Sequence, residues 1–135
     1  MLAITVNWWT VLGAAVAGMI VGALWHGPLF GKAWARLNNM TSEDMKKGSA
    51  RASYFWTFVG LVITAYVLSG ILVYAGALSL GEAAQVAFWV WLGFTAPVVL
   101  GKVLWGGQKF QAFLLDAGYY LVNLLVIAYI LNRWG

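Results

Sequence analysis

The chain has 135 residues, 63% of them hydrophobic and only 9% charged, with a mean hydropathy of +0.83. A soluble domain carries about 25% charged residues, so a chain this poor in charge cannot cover a water-facing surface, and its composition fits a lipid solvent. The net charge of +4 is concentrated between apolar runs and forms no basic face, which argues against nucleic acid as a partner; the absence of cysteine excludes disulfides, thiolate metal sites and cysteine nucleophiles.

The N-terminal "MLAITVNWW" lacks the basic stretch of a cleavable signal peptide, so the first apolar run is expected to be retained. That run, the first predicted span, covers residues 8–28. Within it Ala14, Gly18 and Gly22 recur at i+4 and lie on one ridge. Gly18 and Gly22 form a GxxxG pair, the pattern that lets a second backbone approach closely in lipid. His26, the sole histidine, is the next step on that ridge and is expected to face the helix that uses it. Pro28 then stops or kinks the helix.

Residues 29–53 form the one sizeable loop and carry Lys32, Arg36, Lys46, Lys47 and Arg51. Its "MTSEDMKKGS" places acids early and lysines late, which suits a short helix capped by Thr41 or Ser42 and ended by Gly48.

The second predicted span is 54–76. The turn Ala77–Gly81 that follows has no Lys or Arg. The third span, 82–104, opens on Glu82, placed to complement the helix dipole. Gly93, Pro97 and Gly101 form a second small-residue ridge at i+4. Pro97 breaks the mid-span hydrogen-bond ladder, which is compatible with a tolerated kink or with a moving or ion-binding point. Lys102 and Lys109 flank the following turn. The fourth span, 111–132, contains "LLDAGYYLVNLL". There Asp116, Tyr119 or Tyr120, and Asn123 form one polar stripe at i, i+3/i+4 and i+7.

The spans read as helices because their apolar residues are continuous and do not alternate as barrel strands do. The expected fold is therefore all-α: an integral membrane four-helix bundle in a single transmembrane domain, 1–135. All basic residues but Arg133 flank the first-to-second and third-to-fourth connections. The positive-inside rule then puts both termini outside and both basic loops in the cytoplasm. Trp8, Trp9, Tyr74 and Trp134 fall at the outer boundary, and Trp34, Tyr54, Trp56 and Trp105 at the inner one, as interfacial aromatics do. Trp89 and Trp91 lie inside the third span and are expected to pack between helices or against lipid.

This topology brings His26, Lys102 and Asp116 to one height. It predicts a cytoplasmic-side polar cluster of these three, extended by Tyr119, Tyr120 and Asn123. Two readings of the cluster stay open. In one, Lys102 pairs with Asp116 to fix helix register while His26 caps exposed carbonyls; in the other, the group is a proton- or ion-linked site.

"NWW" (Asn7–Trp9), "GALWHGPLFGKAW" (Gly22–Trp34) and "FLLDAGYYLVNLL" (Phe113–Leu125) together resemble a family of small four-span bacterial membrane proteins, domain of unknown function seventeen-sixty-one. The resemblance covers essentially the whole chain. It implies a four-span fold in the bacterial inner membrane and carries no assigned activity. The family's pattern tends to an aromatic at His26, Asn at Asp116 and His at Tyr120, so this chain departs from it at those positions.

No catalytic motif, metal-ligand set or cofactor signature stands out, so no catalytic residues, metals or cofactors are expected. The leading expectation is a structural or accessory membrane protein, packing with itself or with other membrane subunits in the lipid bilayer. The alternative is a small oligomeric proton- or ion-linked transporter or channel, whose pH-linked flux would be lost on Asp116→Asn.

Overall fold

A computed structural model describes residues 7–37 and 50–134. The predicted loop helix capped by Thr41 or Ser42 lies outside the described residues. Among the described residues the protein is all-α. Four stretches, Trp8–Leu29, Ala52–Tyr74, Leu80–Leu104 and Phe110–Trp134, are long and apolar enough to cross a membrane.

The first stretch begins as α1 (Trp8–Leu24). Asn7 caps it, its side-chain oxygen accepting from the Trp9 and Thr10 backbone N–H groups at 3.1 and 3.4 Å. Past Leu24 the helix widens into a π-turn, Trp25–Leu29, in which Phe30 N–H donates to the Trp25 carbonyl five residues back at 2.9 Å. Pro28 has no N–H to give and its ring crowds the preceding turn, and Gly27 takes non-helical angles there. Pro28 therefore kinks the chain without ending it. The helix resumes as α2 (Gly31–Leu37). The turn is tight: a methyl on Gly31 would come 2.5 Å from the His26 carbonyl oxygen.

The second stretch is α3 (Ala50–Tyr74). It ends in a Schellman closure, with Ala77 N–H on the Leu72 carbonyl (3.0 Å) and Gly76 N–H on that of Val73 (3.1 Å). Gly76, at φ 68°, supplies the left-handed residue this closure needs.

The third stretch is α4 (Leu80–Val90), a second π-turn (Trp91–Thr95) and α5 (Ala96–Leu104). Ser79 caps α4: its hydroxyl accepts from Glu82 N–H at 3.1 Å and donates to the Glu82 carboxylate at 3.0 Å. The ladder break expected at Pro97 occurs as the wide turn just before it, because proline cannot bond the carbonyl one turn earlier. After Leu104 the chain reverses through Gly107 at φ 71°. The Lys102 carbonyl accepts the N–H groups of both Gly106 (3.1 Å) and Gln108 (3.0 Å). The last helix is α6 (Phe110–Trp134).

Helix α6 is the axis of the bundle. It packs along α1 and α4, α1 packs in turn on α3, and α3 meets α4 only slightly. The core is made of small residues at the crossings, with Ala14, Ala15, Ala65, Ala83 and Ala87 wholly buried around Ile127 and Val11. Lipid gives no hydrophobic drive between helices, so close backbone approach and dispersion contacts hold such a core. The first ridge performs that task, with Ala14 and Gly18 buried. A methyl on Gly18 would meet Asn123 Oδ1 at 2.8 Å, and one on Gly22 would meet the Tyr119 hydroxyl at 3.1 Å.

The second ridge is used differently. Gly93 and Pro97 are exposed, and a methyl on Gly93 or Gly101 would meet nothing within 4 Å. Among the described residues neither glycine of this ridge is closely approached by another helix.

Candidate functional site

The slight meeting of α3 with α6 leaves a groove of about 830 Å³ walled by α1, α3 and α6, with Thr95 also in its lining. Its polar lining is His26, Tyr54, Thr57, Tyr119, Tyr120 and Asn123. Its apolar lining includes Met19, Leu61, Leu124 and Ile127. Thr64 adds no free donor there, because its hydroxyl donates to the Gly60 carbonyl at 2.9 Å.

The interacting polar side chains of the lining come from α1 and α6. His26 Nδ1 lies 3.2 Å from the Gly22 carbonyl oxygen. That contact needs hydrogen on Nδ1, which leaves Nε2 as an acceptor in the neutral ring. The imidazole meets the Tyr119 ring edge-on at 4.8 Å, and Tyr119 in turn tilts against Tyr120 at 5.1 Å. One turn further along α6, Asn123 Nδ2 donates to the Tyr119 hydroxyl at 3.0 Å. Asn123 is only 4% exposed, and its Oδ1 has no hydrogen-bond partner among the described residues. Turning the amide over would pair the oxygen with the Tyr119 hydroxyl and orphan the nitrogen instead. Either way one polar atom of a buried amide is unmatched, a cost of about 1–3 kcal/mol.

A second constellation surrounds Asp116, which is buried. Trp34 Nε1 on α2 donates to its Oδ1 at 3.0 Å, and Gln108 Nε2 donates to its Oδ2 at 3.2 Å. Two more indoles grip the same turn of α6. Trp25 donates to the Leu115 carbonyl at 3.2 Å and Trp91 to the Ala117 carbonyl at 2.8 Å. The Trp25 ring packs against Gly118, where a methyl would come 3.4 Å from it. The π-turns orient two of these clamps: Trp25 opens the first and Trp91 the second.

The expected six-residue cluster is thus divided. His26, Tyr119, Tyr120 and Asn123 come together at the groove. Asp116 is held by other partners, one of which, Trp34, also meets the His26 ring edge-on at 5.8 Å. Lys102 does not fill the role expected of it. It is exposed, and the partners on the Asp116 oxygens are Trp34 and Gln108. The reason is the turn after α5, which folds Gln108 back toward α6 and holds it there by its backbone. His26 does contact a carbonyl, that of Gly22 in its own helix.

Sequence reasoning missed Gln108, the hydroxyls of Thr57 and Thr95, and the bonding roles of Trp25, Trp34 and Trp91. The tryptophans left a signal. Trp25 and Trp34 flank the Pro28 break, and both indole N–H groups reach across to α6. Among the described residues no three His, Asp or Glu side chains are grouped to hold a metal ion.

No curated protein and no solved structure matches this chain. A family model described as protein of unknown function (DUF1761) matches residues 9–132. That stretch contains all four apolar helices nearly whole, the groove and the Asp116 clamp, so the chain belongs to the DUF1761 family.

Proposed function

We propose that this is an integral protein of the bacterial inner membrane that acts as a structural or accessory element, assembling with copies of itself through the third span. The observation that carries the reading is the uncovered Gly93–Pro97–Gly101 ridge. It is open at both glycines, and it is bordered by exposed Phe94 and Val98. Small-residue ridges pair with one another in lipid because backbones then approach within dispersion range. A ridge of identical residues on a second copy is complementary to this one by symmetry. The lysine distribution supports termini outside and the basic loops in the cytoplasm. Native mass spectrometry of the gently extracted protein tests the reading. It is expected to show a homo-oligomer that falls to monomer in Gly93→Leu/Gly101→Leu; a wild-type monomer, or an oligomer indifferent to those changes, overturns it.

A second reading, a small oligomeric transporter, draws on the groove, since polar side chains at membrane depth commonly line solute paths. Flux into liposomes across a pH gradient, sensitive to Tyr119→Phe, is what it requires.

A further inference from the structure

We infer that the end of the bundle where α2 meets the turn after α5 holds the phosphate head of an anionic phospholipid. Lys32 and Arg36 take the phosphate, and Lys102 and Lys109 complete the basic rim. The inference rests on the proposed membrane setting and is independent of self-assembly.

The Asp116 clamp gathers these cations. Trp34 on α2 and Gln108 in the turn bond the two oxygens of one carboxylate, at 3.0 and 3.2 Å. Lys32 and Arg36 stand two residues to either side of Trp34, and Lys109 follows Gln108. The Lys102 carbonyl holds the Gln108 N–H at 3.0 Å, so the end of α5 is tied to the same turn. Two residues are more than half a helical turn, so Lys32 and Arg36 share the face of α2 opposite Trp34, with Cβ atoms about 5–6 Å apart. Because Trp34 reaches to α6, that face is turned away from the bundle. All four cations are exposed, and none has an ion-pair partner among the described residues.

Charge and surroundings choose the ligand. Two cations one helical turn apart can share one phosphate, Arg36 with a two-pronged contact and Lys32 as a point charge. Asp116, the carboxylate at the centre, does not compete for them, since it is buried and its oxygens accept from Trp34 and Gln108. Exposed aromatic side chains stand beside the cations: Phe30 just before α2, Trp105 three residues after Lys102, and Phe110 next to Lys109. A soluble anion makes no use of those rings. At a membrane interface aromatic rings sit at the level of the head groups, where Lys and Arg meet anionic phosphates. Cations interleaved with exposed rings therefore fit a lipid.

The test uses the full chain, purified in a neutral detergent, with dioctanoyl phosphatidylglycerol as probe. Dioctanoyl phosphatidylcholine and glycerol phosphate are the comparisons. Saturable binding of phosphatidylglycerol is expected, with phosphatidylcholine and glycerol phosphate each at least about tenfold weaker. Arg36→Gln should weaken phosphatidylglycerol about fivefold, and Lys32→Gln/Arg36→Gln about 25-fold. Arg133→Gln, which removes an exposed cation at the other end of the chain, should leave binding unchanged. The charges of residues 38–51 are the same in every variant, so the comparison reads Lys32 and Arg36 alone. Absence of saturable binding, equal binding of the two lipids, equal binding of glycerol phosphate, or equal losses in Arg36→Gln and Arg133→Gln overturns the inference. Carbonate washing of native membranes checks the membrane setting separately. A chain that washes off without detergent removes that setting and the inference with it; a chain that stays and binds no phosphatidylglycerol overturns the inference alone.

Discussion

Trp34 and Asp116 stand 82 residues apart in the chain and share a 3.0 Å hydrogen bond. Through it the short helix beyond the Pro28 kink is tied to the final helix. The tie adds a specific anchor to a helix that also carries the charged, exposed Lys32 and Arg36. A double-mutant cycle of Trp34→Phe and Asp116→Leu should show a coupling of about 0.5–1.5 kcal/mol, the range found for polar contacts between membrane helices. Denaturant unfolding in mixed micelles measures it, and additive effects would remove the contact from the account.

Gly18 and Gly13 offer a comparison within one helix. A methyl on Gly18 would press into Asn123 Oδ1 at 2.8 Å and Leu61 at 3.1 Å, whereas one on Gly13 meets nothing within 4 Å. Gly18→Ala is expected to destabilise by about 1–3 kcal/mol through overpacking. Gly13→Ala should be neutral or stabilising by up to about 1 kcal/mol, as alanine is the better helix former. Equal thermal shifts for the two would contradict the placement of the first ridge against α6.

Gly107 delivers Gln108 to Asp116 from a left-handed backbone angle, φ 71°. Gly107→Ala should cost about 1–2 kcal/mol for that angle alone. Its effect should shrink when Gln108 is already Ala, because the turn then has less to position. Thermal melting of the single and double variants reads this out.

Much of this architecture was legible in the sequence because it depends on one-dimensional properties. Continuous apolar runs gave the four helices, i+4 spacing gave the Ala14–Gly18–Gly22 ridge, and Pro28 and Pro97 marked both breaks. The site was less legible. That Tyr119 and Asn123 share a face follows from helical spacing, and they do bond. That Gln108 reaches Asp116 while Lys102 does not depends on how a glycine turn closes, which charge and height do not encode. Opposite charge suggested a partner for Asp116 that geometry did not supply. The groove was invisible because it is space left between α3 and its neighbours, and no residue pattern marks a contact that fails to form.

The lack of cysteine leaves the chain free of background for topology mapping. Ser79→Cys should react with a membrane-impermeant maleimide added outside intact cells, and Lys109→Cys should react only after the cells are opened. The reverse pattern would invert the proposed orientation without disturbing the fold.

The same freedom from background allows the most direct test of the central claim, that copies meet across the third span. Gly93→Cys and Gly13→Cys chains would be oxidised separately in native membranes and run without reductant. A disulfide needs Cα atoms roughly 4.4–6.8 Å apart, a separation that two small-residue ridges in contact allow. The account predicts a dimer band from Gly93→Cys and little from Gly13→Cys; monomer from both, or equal dimer from both, would contradict it.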